Sequence, residues 1–180
     1  MADWLSDAKA VDAAVYAAIA ASDTPALDAA MRRLSGAADN SKLWFAAAAV
    51  IGLGGQHGRR AAARGLASLG LASAFANLVA KPLTRRRRPE RRELEELADR
   101  HVPMPPSSSF PSGHAASAFA FATGAGAVAP ALSAPLRALA TLVGYSRVHT
   151  GVHYPADVLA GAFIGVSAAE VAGRIFSRRG

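Results

Sequence analysis

Uncharged apolar stretches alternate with short clusters of charge along this chain. Residues 43–55 and 65–80 carry no charge, and the second run ends at Lys81. Residues 113–136 hold only His114 near their start, and 138–146 form a shorter uncharged run behind Arg137. Residues 158–173 include one acid, Glu170. No segment shows the period-two alternation of a strand, so an all-α protein is expected. About five membrane spans separated by basic clusters predict a small polytopic helical bundle. Several stretches are short or alanine-rich, which leaves a buried soluble bundle as the competing reading.

Ahead of the first apolar run the pattern is amphipathic. Trp4, Ala8, Val11, Val15 and Ile19 recur at helical spacing, while Asp3, Asp7, Lys9 and Asp12 fall largely elsewhere. Thr24 as N-cap and Pro25 at the first helical position start a second helix, with Leu27, Ala30, Met31 and Leu34 on one stripe. Neither is long or apolar enough to span a bilayer, so both are expected to lie in the interface. The expected division is an amphipathic region over residues 1–40 and a membrane-embedded core over 41–180. No cleavable signal peptide is visible, because the first residues carry aspartates and no apolar block. Between spans, residues 82–110 form the only long polar loop. It predicts a short charged helix over 90–100, followed by an irregular proline- and serine-rich approach to the next span.

Composition sharpens this picture. Of 180 residues, 52% are hydrophobic and only 18% charged, which disfavours disorder. There is no cysteine, hence no disulfide framework and no thiolate chemistry. The net charge of +7 points to an anionic partner: nucleic acid, anionic lipid or phosphate. A nucleic-acid binder would need a recognition module or an aromatic-rich surface, and the sequence offers neither.

Three clusters carry the chemistry. Lys81 is followed by Arg88 and Pro89; Pro111, Ser112, Gly113 and His114 open a span; Ser146 and Arg147 precede His153 and Asp157. Taken singly each has an ordinary structural role. A lysine at a helix end snorkels, an arginine run (85–88) sits on headgroups, and Pro–Ser–Gly is a turn. The hydropathy pattern, however, places all three at one membrane face. Lys81, Arg88 and Arg147 then supply three cations, and Ser112 a hydroxyl. The amides after Pro111 lie at a helix N-terminus, which favours an anion. Together they make a phosphate cradle. Two histidines, His114 and His153, remain for nucleophile and acid. Asp157, four residues after His153, is spaced to hold that ring by one nitrogen. A rival reading takes His149, His153 and Asp157 as three metal ligands on one helix face. Gly151 and Pro155 and the nearby cations argue against it.

In this order and spacing, Lys81, Arg88, Pro111, Ser112, Gly113, His114, Ser146, Arg147, His153 and Asp157 resemble the three-part signature of the type 2 phosphatidic acid phosphatase (PAP2) superfamily. That superfamily includes soluble acid phosphatases and vanadium haloperoxidases. The resemblance implies an all-α helical bundle of the PAP2/haloperoxidase type and metal-free phosphomonoester or pyrophosphate hydrolysis without a cofactor. It implies His153 as nucleophile, His114 as acid, Asp157 as the residue orienting His153, and Lys81, Arg88, Ser112, Gly113 and Arg147 as phosphate ligands. Thr24–Asp28, Met31–Ser35, Ala38, Asp39, Leu43 and Trp44 are similar to small actinobacterial members, some of which act on decaprenyl-linked phosphoribose in arabinan precursor synthesis. Phosphatidic acid, phosphatidylglycerol phosphate and polyprenyl pyrophosphate are the alternative substrates.

Two further expectations concern assembly and sidedness. Gly161, Gly165, Ala169 and Gly173 recur every fourth residue, a small-residue stripe for close packing within the bundle or in a homo-oligomer. Thirteen of the 20 Lys and Arg fall on the catalytic side of the predicted spans. The positive-inside rule then points the active site to the cytoplasmic face of the plasma membrane.

Overall fold

The computed structural model describes residues 4–91 and 100–177. Among these are α1 (Trp4–Ala20), α2 (Pro25–Ala37), α3 (Lys42–Gly52), α4 (Gly55–Ala74), α5 (Lys81–Thr84), α6 (Gly113–Val128), α7 (Ser133–His149) and α8 (Pro155–Ser177). No described residue lies in a strand. The charged helix expected over 90–100 falls mostly outside the described residues.

α6 is the central element. It packs against α4, α7 and α8 and is buried on nearly every face. Its alanines, glycines and serines leave no bulky stripe, so neighbouring backbones approach closely from several sides. A side chain at Gly161 or Gly165 of α8 would strike the Ser112 or Ala116 carbonyl of α6. The small-residue stripe of α8 therefore serves the internal bundle. Trp44 of α3 and Phe121 of α6 meet at 5.4 Å between ring centroids and anchor the main apolar cluster.

α4 and α5 are one continuous rod, joined by a π-helical turn over Phe75–Ala80. Pro82 explains the widening. It has no N–H for the Leu78 carbonyl, and its ring crowds that carbonyl, so the preceding turn opens. The rod Gly55–Thr84 and α8 are long and apolar enough to cross a membrane. Leu71, Phe75 and Leu78 on the rod, and Leu159, Phe163 and Val166 on α8, face outward. Such a belt is stable only against apolar surroundings. The other predicted spans become α3, α6 and α7, of 11, 16 and 17 residues.

The N-terminal helices dock on the core by their polar residues, a difference from the simple amphipathic expectation. On α1, Trp4, Val11 and Val15 are exposed while Asp12, Tyr16 and Ala20 are buried. Asp12 accepts from the Ala156 amide at 2.8 Å, capping the start of α8. On α2 the buried face includes Asp28, Met31 and Ser35. Asp28 meets His149 Nε2 at 2.7 Å and also pairs with Arg100, whose fully buried guanidinium donates to the last carbonyls of α1. An outward apolar face on α1 suits a helix resting in an interface.

Candidate active site

All three sequence clusters meet at one end of the bundle. Lys81 sits on α5, at the end of the long rod, where its Nζ donates to Asn77 Oδ1 at 2.8 Å. Ser112 caps α6: its side chain accepts from the Ala115 amide, and its own amide donates to the Asp157 carbonyl at 2.9 Å. Gly113 and His114 occupy the first turn, with open amides pointing out of the helix end. Arg147 lies in the last turn of α7 and is 2% exposed. Its Nη1 donates to the Ser35 hydroxyl of α2, and its Nε has no protein partner. An unsatisfied buried guanidinium nitrogen is a ready seat for an anion.

His153 lies in the loop between α7 and α8. Gly151, at φ 71, turns the chain there into a left-handed conformation that ends α7. Arg91 straps this loop to the polar segment through the carbonyls of Thr150, Gly151 and Val102. Arg88 donates to the Val152 carbonyl at 2.7 Å, which leaves its Nη1 3.4 Å from His153 Nε2. On the other side of the ring, Nδ1 is 3.4 Å from Asp157 Oδ2, within ion-pair range but not aligned as a hydrogen bond. Burial, reinforced by Arg88 and Arg147 against the pull of Asp157, lowers His153 to about 4. Arg88 is itself pushed down by burial and by the Arg91 charge, though Asp157 opposes this. A neutral imidazole with Nε2 facing the cations has a lone pair available for nucleophilic attack at ordinary pH.

Asp157 is fully buried and fully used. Oδ2 accepts from the Ser109 hydroxyl and from the Tyr154 amide at 2.9 Å, while Oδ1 pairs with Arg86 Nη1 at 2.8 Å. Arg86 also pairs with Asp12 at 2.5 Å and stacks 4.4 Å over the Tyr154 ring. Of the arginine run, then, Arg86 and Arg88 are structural parts of the site, and only Arg85 and Arg87 face solvent.

Sequence reasoning missed five residues here: Asp12, Ser35, Asp39, Arg86 and Ser109. Asp39 is the most consequential. Its Oδ1 is 2.9 Å from His114 Nε2 and 3.7 Å from Arg147 Nη1, so a carboxylate bridges the second histidine and a cradle cation. An incoming phosphate oxygen would compete for those same two contacts. The sequence marked Asp39 only as one of the residues similar to small actinobacterial members, with no role attached.

The metal alternative fails on geometry. α7 ends at His149, whose ring turns to Asp28 and Tyr145, away from His153. The three residues share no helix face.

The PAP2 superfamily model matches residues 62–180. A decaprenylphosphoryl-5-phosphoribose phosphatase of Mycolicibacterium smegmatis is 37% identical over 89% of this chain and 84% of its own length. An undecaprenyl-diphosphatase of Sulfolobus acidocaldarius is 44% identical over 35% of this chain and 31% of its own. Among solved structures, a transmembrane PAP2-type phosphatidylglycerolphosphate phosphatase from Bacillus subtilis superimposes with TM-score 0.73 at 22% identity. It covers 96% of this chain and 87% of that one. Aquifex aeolicus LpxE gives TM-score 0.70 at 25% identity, covering 89% and 93%. A helical bundle whose conjoined cations and histidines sit where three separate motifs converge, matched over most of its length, belongs to the PAP2 superfamily of phosphatases.

Proposed function

We propose that this protein is an integral membrane phosphatase of decaprenylphosphoryl-5-phosphoribose, removing the terminal phosphate through a phosphohistidine on His153. The observation that carries the chemistry is the His153 ring, neutral and held with Nε2 beside Arg88 at 3.4 Å. The substrate assignment rests on the relative from Mycolicibacterium smegmatis, which aligns along most of both chains.

In the first half-reaction, Lys81, Arg88, Arg147, Ser112 and the Gly113 amide hold the phosphate oxygens. They stabilise the charge of the trigonal-bipyramidal state. The Nε2 lone pair of His153 attacks phosphorus in line, and the bond from phosphorus to the ribose oxygen breaks. His114, protonated as the phosphate anion binds beside it, gives that proton to the departing oxygen. Asp157, fixed by Arg86 and Ser109, holds the Nδ1 side and supports the positive charge that develops on the ring. In the second half-reaction His114 takes a proton from water. The hydroxide attacks phosphorus, the N–P bond breaks, and inorganic phosphate leaves with His153 neutral again. Asp39 must release His114 when the substrate phosphate enters.

The active face is proposed to lie on the cytoplasmic side of the plasma membrane, following the excess of basic residues there. The test is phosphate release by purified protein in detergent. The panel holds the phosphoribosyl lipid, phosphatidic acid, phosphatidylglycerol phosphate and a polyprenyl diphosphate, each assayed with and without EDTA. The highest kcat/KM is expected on the phosphoribosyl lipid and is expected to survive chelation. A higher kcat/KM on any other lipid would overturn the substrate assignment.

A further inference from the structure

Beside His114 a cavity of about 230 Å³ shares Lys81, Gly113 and His114 with the phosphate cradle and extends beyond them. Gly113, His114 and Lys81 form the side toward the phosphate cradle, and Trp44 and Ala38 are its apolar walls. The remaining lining is polar: Asn40, Ser41, Ser73, Asn77 and Ser117. We infer that this cavity is a sugar subsite, built to bind the hydroxyl-bearing leaving alcohol of the phosphoester. The inference rests on the phosphatase reading above and deepens it.

Three observations support it. First, position follows from chemistry. An acid histidine delivers its proton to the leaving oxygen, so the space on the open side of His114 is where the alcohol must lie. Second, part of the polar lining is free to bind. Ser73, Asn77 and Lys81 are engaged with one another, but among the described residues no hydrogen bond engages the Ser117 hydroxyl or the half-buried Ser41 and exposed Asn40 side chains. Hydroxyl and amide groups of this kind both donate to and accept from a ligand's hydroxyls. Third, Asn40 and Ser41 are held at φ 53 and φ 60, two consecutive left-handed residues other than glycine. Such backbone is retained where presenting a side chain matters. The turn brings both side chains to the cavity while Asp39, just before it, reaches His114.

Polarity favours a hydroxylated leaving group. At ~30 Å³ per water the cavity holds roughly seven or eight waters' volume, enough for one sugar ring, and most of its lining residues are polar.

The test compares kcat/KM for ribose 5-phosphate with that for n-pentyl phosphate, an ester of similar size without ring hydroxyls, using the full chain in detergent. Wild type is expected to prefer the sugar ester. Ser117→Ala keeps the space, and Asn40→Gly keeps the left-handed turn. Each is expected to lower the sugar-to-pentyl ratio about five- to tenfold while leaving n-pentyl phosphate turnover unchanged. An unchanged ratio in both variants would overturn the subsite. A third arm uses the lipid-linked phosphoribose. A drop in its kcat/KM parallel to that of the free sugar ester places the lipid's ribose in the same cavity, whereas a drop confined to the free ester refutes that placement. Should phosphatidic acid outrun every sugar ester on wild type, the lipid assignment fails, yet the small-ester ratio still decides the subsite.

Discussion

Arg86 is the residue whose loss should be most informative outside the catalytic set. Its guanidinium ties Asp12 of α1 at 2.5 Å to Asp157 of α8 at 2.8 Å. The two carboxylates are 6% and 0% exposed, the arginine 27%. Arg86→Gln removes the cation and strands two buried anions. Breaking a buried pair costs ~3–5 kcal/mol, and the partial exposure of Arg86 lowers this to about 2–3 kcal/mol. For a chain of this size that is a fall in Tm of roughly 5–10 °C. Because Asp157 also holds the His153 side of the site, kcat should fall about tenfold while KM changes little. Arg86→Lys, which restores charge without the fork, should recover part of both. The double variant Asp12→Asn with Arg86→Gln should cost less than the sum of the singles, since the first removes one stranded anion. Thermal unfolding in detergent and steady-state phosphate release measure these effects. Unchanged Tm and kcat in Arg86→Gln would refute the positioning role and return residues 85–88 to simple headgroup binding.

Three more outcomes are expected. Gly165→Leu should lower Tm by about 5 °C or more, because a Cβ there already meets the Ala116 carbonyl and lies 2.8 Å from the Ala120 amide; unchanged melting and oligomer size would remove the close α6–α8 contact. His153 should titrate near 4 by NMR of labelled histidine, and Arg88→Gln should move that midpoint up, while burial, the larger cause, keeps it below 6.5. Between those values the unfolded chain binds a proton that folded His153 refuses, so stability should fall as pH drops from about 6.5 to 4. A cysteine at Ser108, beside Arg86 and Arg88, should resist an impermeant thiol reagent in intact cells and react after lysis; labelling of intact cells would place the site on the outer face.

How far the sequence was readable follows from where each contact lies. Lys81, Arg88, His114, Arg147, His153 and Asp157 stand out because polar residues are conspicuous at the ends of apolar runs, and each stays near its own span end in the fold. The partners that position them come from far along the chain. Asp12 is 74 residues from Arg86, and Ser35 is 112 from Arg147. No periodicity announces such pairs. On α1 the pattern also inverts the usual rule. Asp12 and Tyr16 face inward and Val11 outward. The interior there is a polar network, and the exterior suits an interface. Span lengths were blurred for a related reason: the alanine-rich runs of α6 and α7 signal tight packing as readily as lipid contact. The π-helical turn has no mark of its own, since its cause, Pro82, lies beyond its end.

The phosphohistidine is tested most directly by trapping it. Protein in detergent is mixed with a substrate carrying a radiolabelled terminal phosphate and quenched within a single turnover. The mechanism predicts a protein-bound label that is stable to alkali, labile to acid, carried on the peptide containing His153 and lost in His153→Ala. Label retained in His153→Ala, or full turnover by that variant, would contradict it.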